Sequence, residues 1–264
     1  MIDTHSHIYL EEFDVDRDDC IKRAKDSGVT HLVLPNVDMN SYAQMVDTHN
    51  RYPDFTSMAM GLHPTSVGEN WEKQIALTLS CLDEYPFVAI GEVGIDLYWD
   101  TTFKEAQMKA FDAQMRWASE RNMPVIIHCR EALNEVLEVF SNFGRQLPEC
   151  VFHSFSGSLD DVKRIRNFGD FFFGFNGVVT FKNAHLEDVI KYIGENNILL
   201  ETDCPYLTPV PHRGKRNESA YVAYVAEKIS SVLNVSVKHI KQVTDNNAVN
   251  FFRLPQNVTC TPVR

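Results

Sequence analysis

Asp3-Thr4-His5-Ser6-His7 places two imidazoles two residues apart near the start of the chain. In an extended strand, positions i and i+2 face the same way, so His5 and His7 can grip one ion from one side. Neutral imidazole is the commonest metal ligand in proteins. Glu92 lies in the apolar run Ile90-Gly91-Glu92-Val93-Gly94. An ionised carboxylate there is costly without a cation beside it. No Lys or Arg lies within the run, and a bridging place between two metal ions supplies the missing charge. His128 in VIIHCR, His153 in VFHSF and Asp203 in LLETDCP repeat the pattern of a polar residue closing an apolar segment. Each alone has a plain reading, such as a satisfied core histidine or a surface pair. Taken together, four histidines and two carboxylates can hold a two-metal centre with open positions for water and substrate. Nitrogen and oxygen ligation without cysteine admits zinc, manganese, iron or nickel, and magnesium less comfortably.

The elements that must position these residues are eight short apolar runs: 1–7, 31–37, 55–64, 87–96, 124–130, 150–157, 170–177 and 198–205. Amphipathic helical patterns separate them. Over 103–118, Phe103, Ala106, Ala110, Trp117 and Ala118 share one face, away from Lys104, Glu105, Lys109 and Arg116. Near-continuous hydrophobic strands alternating with such helices predict a parallel sheet covered by helices. Eight units in 264 residues predict a (β/α)8 TIM-type barrel, an α/β single domain over 1–254 with an unpacked tail at 255–264. An open doubly wound sheet is the structural alternative, because periodicity counts strands but cannot close them. The polar residues above, together with Asp96 and Glu201, fall near strand C-terminal ends, the face on which barrel active sites are assembled.

Twenty-five Lys+Arg against 36 Asp+Glu give a net charge of −11, which argues against a passive nucleic-acid or membrane binder. An enzyme that meets phosphates through metal ions and a few local arginines remains compatible with it. The cysteines, at 20, 81, 129, 150, 204 and 260, form no CxxC pair and read as reduced thiols, mostly buried. No signal peptide or membrane span is read, the sequons at Asn217, Asn234 and Asn257 are taken as chance, and a cytoplasmic monomer is expected.

In this order, DTHSH (3–7), GLHP (61–64), GEVGID (91–96), IHCRE (127–131), HSFSG (153–157), ETDCPYLTP (201–209) and RGKRNE (213–218) closely resemble the TatD family of metal-dependent deoxyribonucleases, within the amidohydrolase-like superfamily. The set spans nearly the whole predicted barrel. The resemblance implies that His5, His7, Glu92 and Asp203 hold one divalent ion and Glu92, His128 and His153 a second, with Mg²⁺, Mn²⁺ or Zn²⁺ as the ions. It also implies that His63 and Arg130 line the substrate site. Ser219 follows Glu218 where the family's loop often has proline, and Cys204 replaces a small residue.

The chemistry expected is phosphodiester hydrolysis, with Asp203 accepting a proton from the attacking water and Glu92 bridging. Arg130 and His63 are expected on phosphate oxygens, the arginine through paired hydrogen bonds. Arg213, Lys215 and Arg216 form a basic loop cluster that can grip a backbone phosphate, its plain alternative being a solvated loop. Tyr98 and Trp99 are placed to stack on a base. A small basic patch on an acidic chain predicts a short, salt-dependent footprint, and hence an exonuclease acting on single-stranded DNA ends. The alternative is a metal-dependent ester or amide hydrolase, such as a deacylase of aminoacyl-tRNA.

Overall fold

The computed structural model describes residues 1–255 and Val258. The tail expected over 255–264 therefore lies mostly outside the described residues. Within it, Val258 is buried, in one cluster with Phe251 and Phe252.

Among the described residues, eight strands form one parallel sheet in chain order: β1 (Ile2–Asp3), β2 (His31–Pro35), β3 (Thr56–Met60), β4 (Ala89–Asp96), β5 (Val125–Arg130), β6 (Cys150–Phe152), β7 (Phe172–Phe175) and β8 (Ile198–Leu200). Helices α1 (Arg17–Asp26), α2 (Tyr42–Arg51), α3 (Trp71–Cys81), α4 (Lys104–Arg121), α5 (Leu133–Phe140), α6 (Leu159–Arg166) and α7 (Glu187–Ile193) follow the first seven strands. Two more, α8 (Val222–Leu233) and α9 (Val237–Phe252), follow β8. The seam between β8 and β1 is closed just past the strand ends. Thr4 N donates to Leu200 O at 3.0 Å, Asp203 N to His5 O at 2.9 Å and His7 N to Cys204 O at 2.9 Å. The sheet is thus a (β/α)8 barrel, and the open-sheet alternative is excluded. β1 is shorter than the run 1–7 suggested, but this seam keeps residues 4–7 beside their neighbours.

Inside the barrel, Ile2, Val33, Ala59, Ala89, Ile126, Val151 and Leu199 meet, one from each of seven strands. Phe251, Phe252 and Leu254 join the same cluster from the end of α9. Side chains two apart on a strand share a face. From this inner layer the alternation leads to the opposite end: Ile126 to His128, Val151 to His153, Leu199 to Glu201 and Asp203, and Ala59 by way of Gly61 to His63. The residues between them, such as Ile127, Phe152 and Leu200, pack outward among the helices. The site is the polar continuation of the barrel's own core.

β4 departs from simple alternation. Its register against β5 shifts between Ile90 and Val93, which both pack outward although they are three apart. A bulge of this kind puts an extra residue on one face. Here it turns Glu92, in place of Val93, towards the interior.

Candidate metal centre

Glu92 stands at the middle of the C-terminal face with two oxygens facing two sets of histidines. Oε2 lies 3.1 Å from His5 Nε2 and 3.7 Å from His7 Nε2. Oε1 lies 2.8 Å from His128 Nδ1, 3.3 Å from His63 Nε2 and 3.7 Å from His153 Nε2. Asp203 Oδ1 sits 3.5 Å from His7 Nε2 and 3.8 Å from both His5 Nε2 and His153 Nε2. Three groups of ligand atoms converge within 4.8 Å: His5, His7 and Asp203; His5, Glu92 and His153; and His63, Glu92 and His128. The six expected ligand residues are therefore brought together, with His63 beside them.

The backbone explains part of this closeness. Gly94, at φ +142°, packs so tightly that a Cβ there would lie 1.9 Å from His128 O, so only glycine lets β4 approach β5 at that level. Gly174 leaves the space that Glu201 fills, since a Cβ would stand 2.2 Å from Glu201 Oε2. Two buried glutamines of α4, seven residues apart, hold neighbouring strand ends. Gln107 exchanges hydrogen bonds with Asp96 N and O, and Gln114 with Leu62 N and O, next to His63.

The ring nitrogens that face away from Glu92 decide what the centre can bind. Tyr9 OH donates to Pro35 O at 2.6 Å, so towards His7 Nδ1, 3.0 Å away, it is an acceptor. His7 then carries its proton on Nδ1 and presents a bare Nε2. Asp96 Oδ2 accepts from His128 Nε2 at 2.8 Å, leaving Nδ1 bare. Glu201 Oε1 is 3.0 Å from His153 Nδ1, at ion-pair distance though off the N–H line, and accepts from Ser154 N at 2.6 Å. It favours a bare Nε2 on His153. His5 Nδ1 is buried without a partner and leaves that ring's tautomer open. His63 is the exception: Thr65 N donates to its Nδ1 at 3.2 Å, so Nε2 carries the proton. Lone pairs of His7, His128 and His153 thus point at carboxylate oxygens that are also acceptors, an arrangement that calls for cations between them. The donor set fits divalent ions held by His5, His7, Glu92, His128, His153 and Asp203, with His63 as a hydrogen-bond donor at the edge.

Burial and charge compete across these groups. Burial disfavours a charged His153, but Glu201, Glu92 and Asp203 outweigh burial and push it up to about 10. Burial drives His5 down to about 4, helped by His153. Burial works to raise Glu92, yet the surrounding His63, His5 and His153 hold it well below the usual carboxylate range. Asp203 is lowered in the same way, burial being outweighed by His153 and His7. The centre is strongly polarised and buried, which is the environment expected of reactive groups.

Arg130 closes β5 with its guanidinium 3.8 Å from the Tyr98 ring centroid and 5.3 Å from that of Trp99. The two rings are 54% and 70% exposed, free to meet a ligand. The basic loop behaves differently from expectation at one position. Arg213 is exposed and lies over Phe181 at 3.8 Å, and Lys215 is exposed. Arg216 instead turns inward, donating to Asp16 Oδ1 and Oδ2 at 2.8 and 2.7 Å and covering Phe13. Glu218 accepts from Arg23 at 2.6 Å, and Asn217 Nδ2 donates to Thr202 O and Tyr206 O. RGKRNE thus largely ties the Asp203 loop to α1, and Arg216, expected on substrate, is engaged by Asp16 in this structure. Asp96, Glu201, Tyr9, Gln107 and Gln114 carry positioning tasks that sequence reasoning did not assign. Asp96 and Glu201 had shown themselves as carboxylates at strand ends.

Residues 2–253 match the family described as TatD related DNase. Among curated proteins, the chain is 36% identical over 255 residues to the uncharacterized metal-dependent hydrolase YabD of Bacillus subtilis (strain 168), covering 96% of this chain and 99% of that one. It is 32% identical over 262 residues to the 3'-5' ssDNA/RNA exonuclease TatD of Erwinia billingiae (strain Eb661), covering 97% and 100%. Among solved structures, the TatD homolog YJJV of Escherichia coli K12 superposes with TM-score 0.88 at 28% identity, over 97% of this chain and 98% of that one. A TatD family hydrolase of Entamoeba histolytica shares the fold, with TM-score 0.81 at 21% identity over 95% and 97%.

Proposed function

The chain belongs to the TatD-related DNase family and is a metal-dependent hydrolase of that type, and from this premise we propose that it cleaves phosphodiesters at single-stranded DNA ends with two divalent ions. The observation that carries the proposal is Glu92, whose two oxygens face separate sets of imidazoles. We assign His5, His7, Glu92 and Asp203 to one ion and Glu92, His128 and His153 to the other. Bound divalent ions supply Lewis acidity and bring the pKa of a coordinated water down to roughly 7.

This chain's residues do the rest. Asp203, held deprotonated among His153, His7 and His5, takes the proton of the attacking water on its carboxylate as the new P–O bond forms and the P–O bond to the leaving sugar breaks, that sugar oxygen taking a proton from solvent to leave as an alcohol. His63 donates from Nε2 to a non-bridging phosphate oxygen, its direction set by Thr65. Arg130, stacked on Tyr98, binds a second phosphate oxygen as a fixed planar donor. Arg213 and Lys215 meet a neighbouring backbone phosphate, which gives a footprint of few charges and a strong salt dependence. Curated relatives named as 3'-5' ssDNA/RNA exonucleases support this choice of substrate.

The test is digestion of linear and circular single-stranded DNA beside an aminoacyl ester, with Mg²⁺, Mn²⁺ or Zn²⁺ added to chelator-stripped protein. Metal-dependent loss of the linear strand alone is expected. Equal cleavage of the circle would sink the end preference, and hydrolysis of the ester alone would move the function to a deacylase.

A further inference from the structure

A cavity of about 560 Å³ opens beside His153, between the loops that lead into α5 and α6. Its size lies within the range of roughly 300–1,000 Å³ found for small-molecule sites, and it is too small for a duplex. His153 places one end of it at the metal centre. Asn134 of α5 and Arg164 of α6, from the helical layer outside the strands, also line it. Arg164 Nη2 donates to Asn134 Oδ1 at 2.5 Å and so bridges the two helices. Tyr98 and Phe155 give the wall two aromatic faces, and Ser156 and Ser158 add hydroxyls.

The charges on the wall favour an anion. Glu135 is neutralised by Lys104 at 2.5 Å. Asp161 is engaged by the Ser158 cap at 2.7 Å and lies 3.7 Å from Arg164. Glu131 is exposed, where solvent screens it. Arg130, by contrast, has no carboxylate within 4.0 Å among the described residues and is held in place by aromatic rings. Cation, aromatic faces and hydroxyl or amide donors are the groups that a phosphate, a base and a sugar require.

We propose that this cavity is the subsite for the terminal nucleotide of the strand, with Arg130 on its phosphate and the Asn134–Arg164 bridge as its end wall. The inference rests on the phosphodiesterase reading and adds to it a physical cause for end preference. A chain that continued through the cavity would meet the bridge, whereas a terminus fits in front of it. Arg164 and Asn134 therefore set specificity without touching the metal ligands.

The experiment is binding of thymidine 5′-monophosphate to full-length protein, as purified and again after chelation, by isothermal titration calorimetry. Wild type is compared with Arg164→Ala, Asn134→Ala, Arg130→Ala and, as a remote control, Arg116→Ala, with thymidine and inorganic phosphate as partial ligands. Melting temperatures check that each variant is folded. Expected are binding that survives chelation, a loss of about tenfold in Arg130→Ala and about threefold to tenfold in Arg164→Ala and Asn134→Ala, no change in Arg116→Ala, and weaker binding of either partial ligand. No binding after chelation, or equal affinity in all variants, overturns the subsite. If that occurs while single-stranded DNA is still digested, the function stands and the subsite falls. Binding as expected without hydrolysis of any DNA leaves a nucleotide site and overturns the phosphodiesterase reading.

Discussion

Tyr9 and His7 are joined by a hydrogen bond whose direction is fixed from outside the pair. The Tyr9 hydroxyl gives its proton to Pro35 O at 2.6 Å and accepts that of His7 Nδ1 at 3.0 Å. The His7 nitrogen that faces the candidate metal centre is thereby kept bare by a residue that reaches only the far side of the ring. Tyr9→Phe removes this support and leaves the ring volume in place. A loss of about tenfold in metal affinity is expected, read by competition with a chelating dye, with little change in fold by circular dichroism.

Glu201 does the same work for His153 from a pocket that exists because residue 174 is glycine. Glu201→Gln and Gly174→Ala should therefore lower activity on single-stranded DNA by a similar amount, roughly tenfold to a hundredfold. Steady-state rates at saturating metal check this. An active Gly174→Ala beside an inactive Glu201→Gln would show that Glu201 is not held by that space.

The two arginines of the loop after β8 should separate cleanly. Arg213→Ala is expected to raise KM for DNA and reduce the slope of log affinity against log salt by about 1. Arg216→Ala should leave that slope alone and lower the melting temperature by roughly 2–4 °C. Its partner Asp16 is held down to about 2, chiefly by the Arg216 hydrogen bond. A depressed carboxylate stabilises the fold above its ordinary pKa of 3.8, and that contribution is lost as pH falls through 2.

His31 gives a pH dependence at the other end of the barrel. It is buried, bonded to Ser57 at 2.8 Å, and driven from 6.5 down to about 4 by burial first and His49 second. The unfolded chain takes up this proton before the folded one does. Stability is therefore complete above pH 6.5 and falls between 6.5 and 4, by roughly 3 kcal/mol. Thermal melts across this range should show the slope in wild type and a flatter one in His31→Gln.

How much of this was legible in the sequence depended on whether a residue's partners were near it in the chain. His5, His7, His128, His153 and Asp203 close apolar strands, and alternation from Ile126, Val151 and Leu199 aims three of them into the barrel. Glu92 was readable as a stranded charge, but the bulge that turns it inward was not. The pairing of Arg216 was not legible, because a loop cluster shows its charge and hides its counter-ion, and Asp16 is 200 residues away. Nothing in the sequence sets Gln107 and Gln114 apart from other polar residues of α4. Their task appears only when α4 lies against the ends of the strands. The proton on His63 Nε2 follows from Thr65, two residues on, yet only the folded turn aims that N–H at the ring.

If Glu92 joins two ions and both are needed, the metal bound per chain must track activity. Mn²⁺ bound per chain, counted by equilibrium dialysis and elemental analysis alongside release of mononucleotides from 3′-labelled single-stranded DNA, tests it most directly. About two equivalents are expected at full activity in wild type and about one in His128→Ala with activity lost, as two-ion catalysis requires. Full activity at one equivalent, or undiminished activity in His128→Ala, would contradict it.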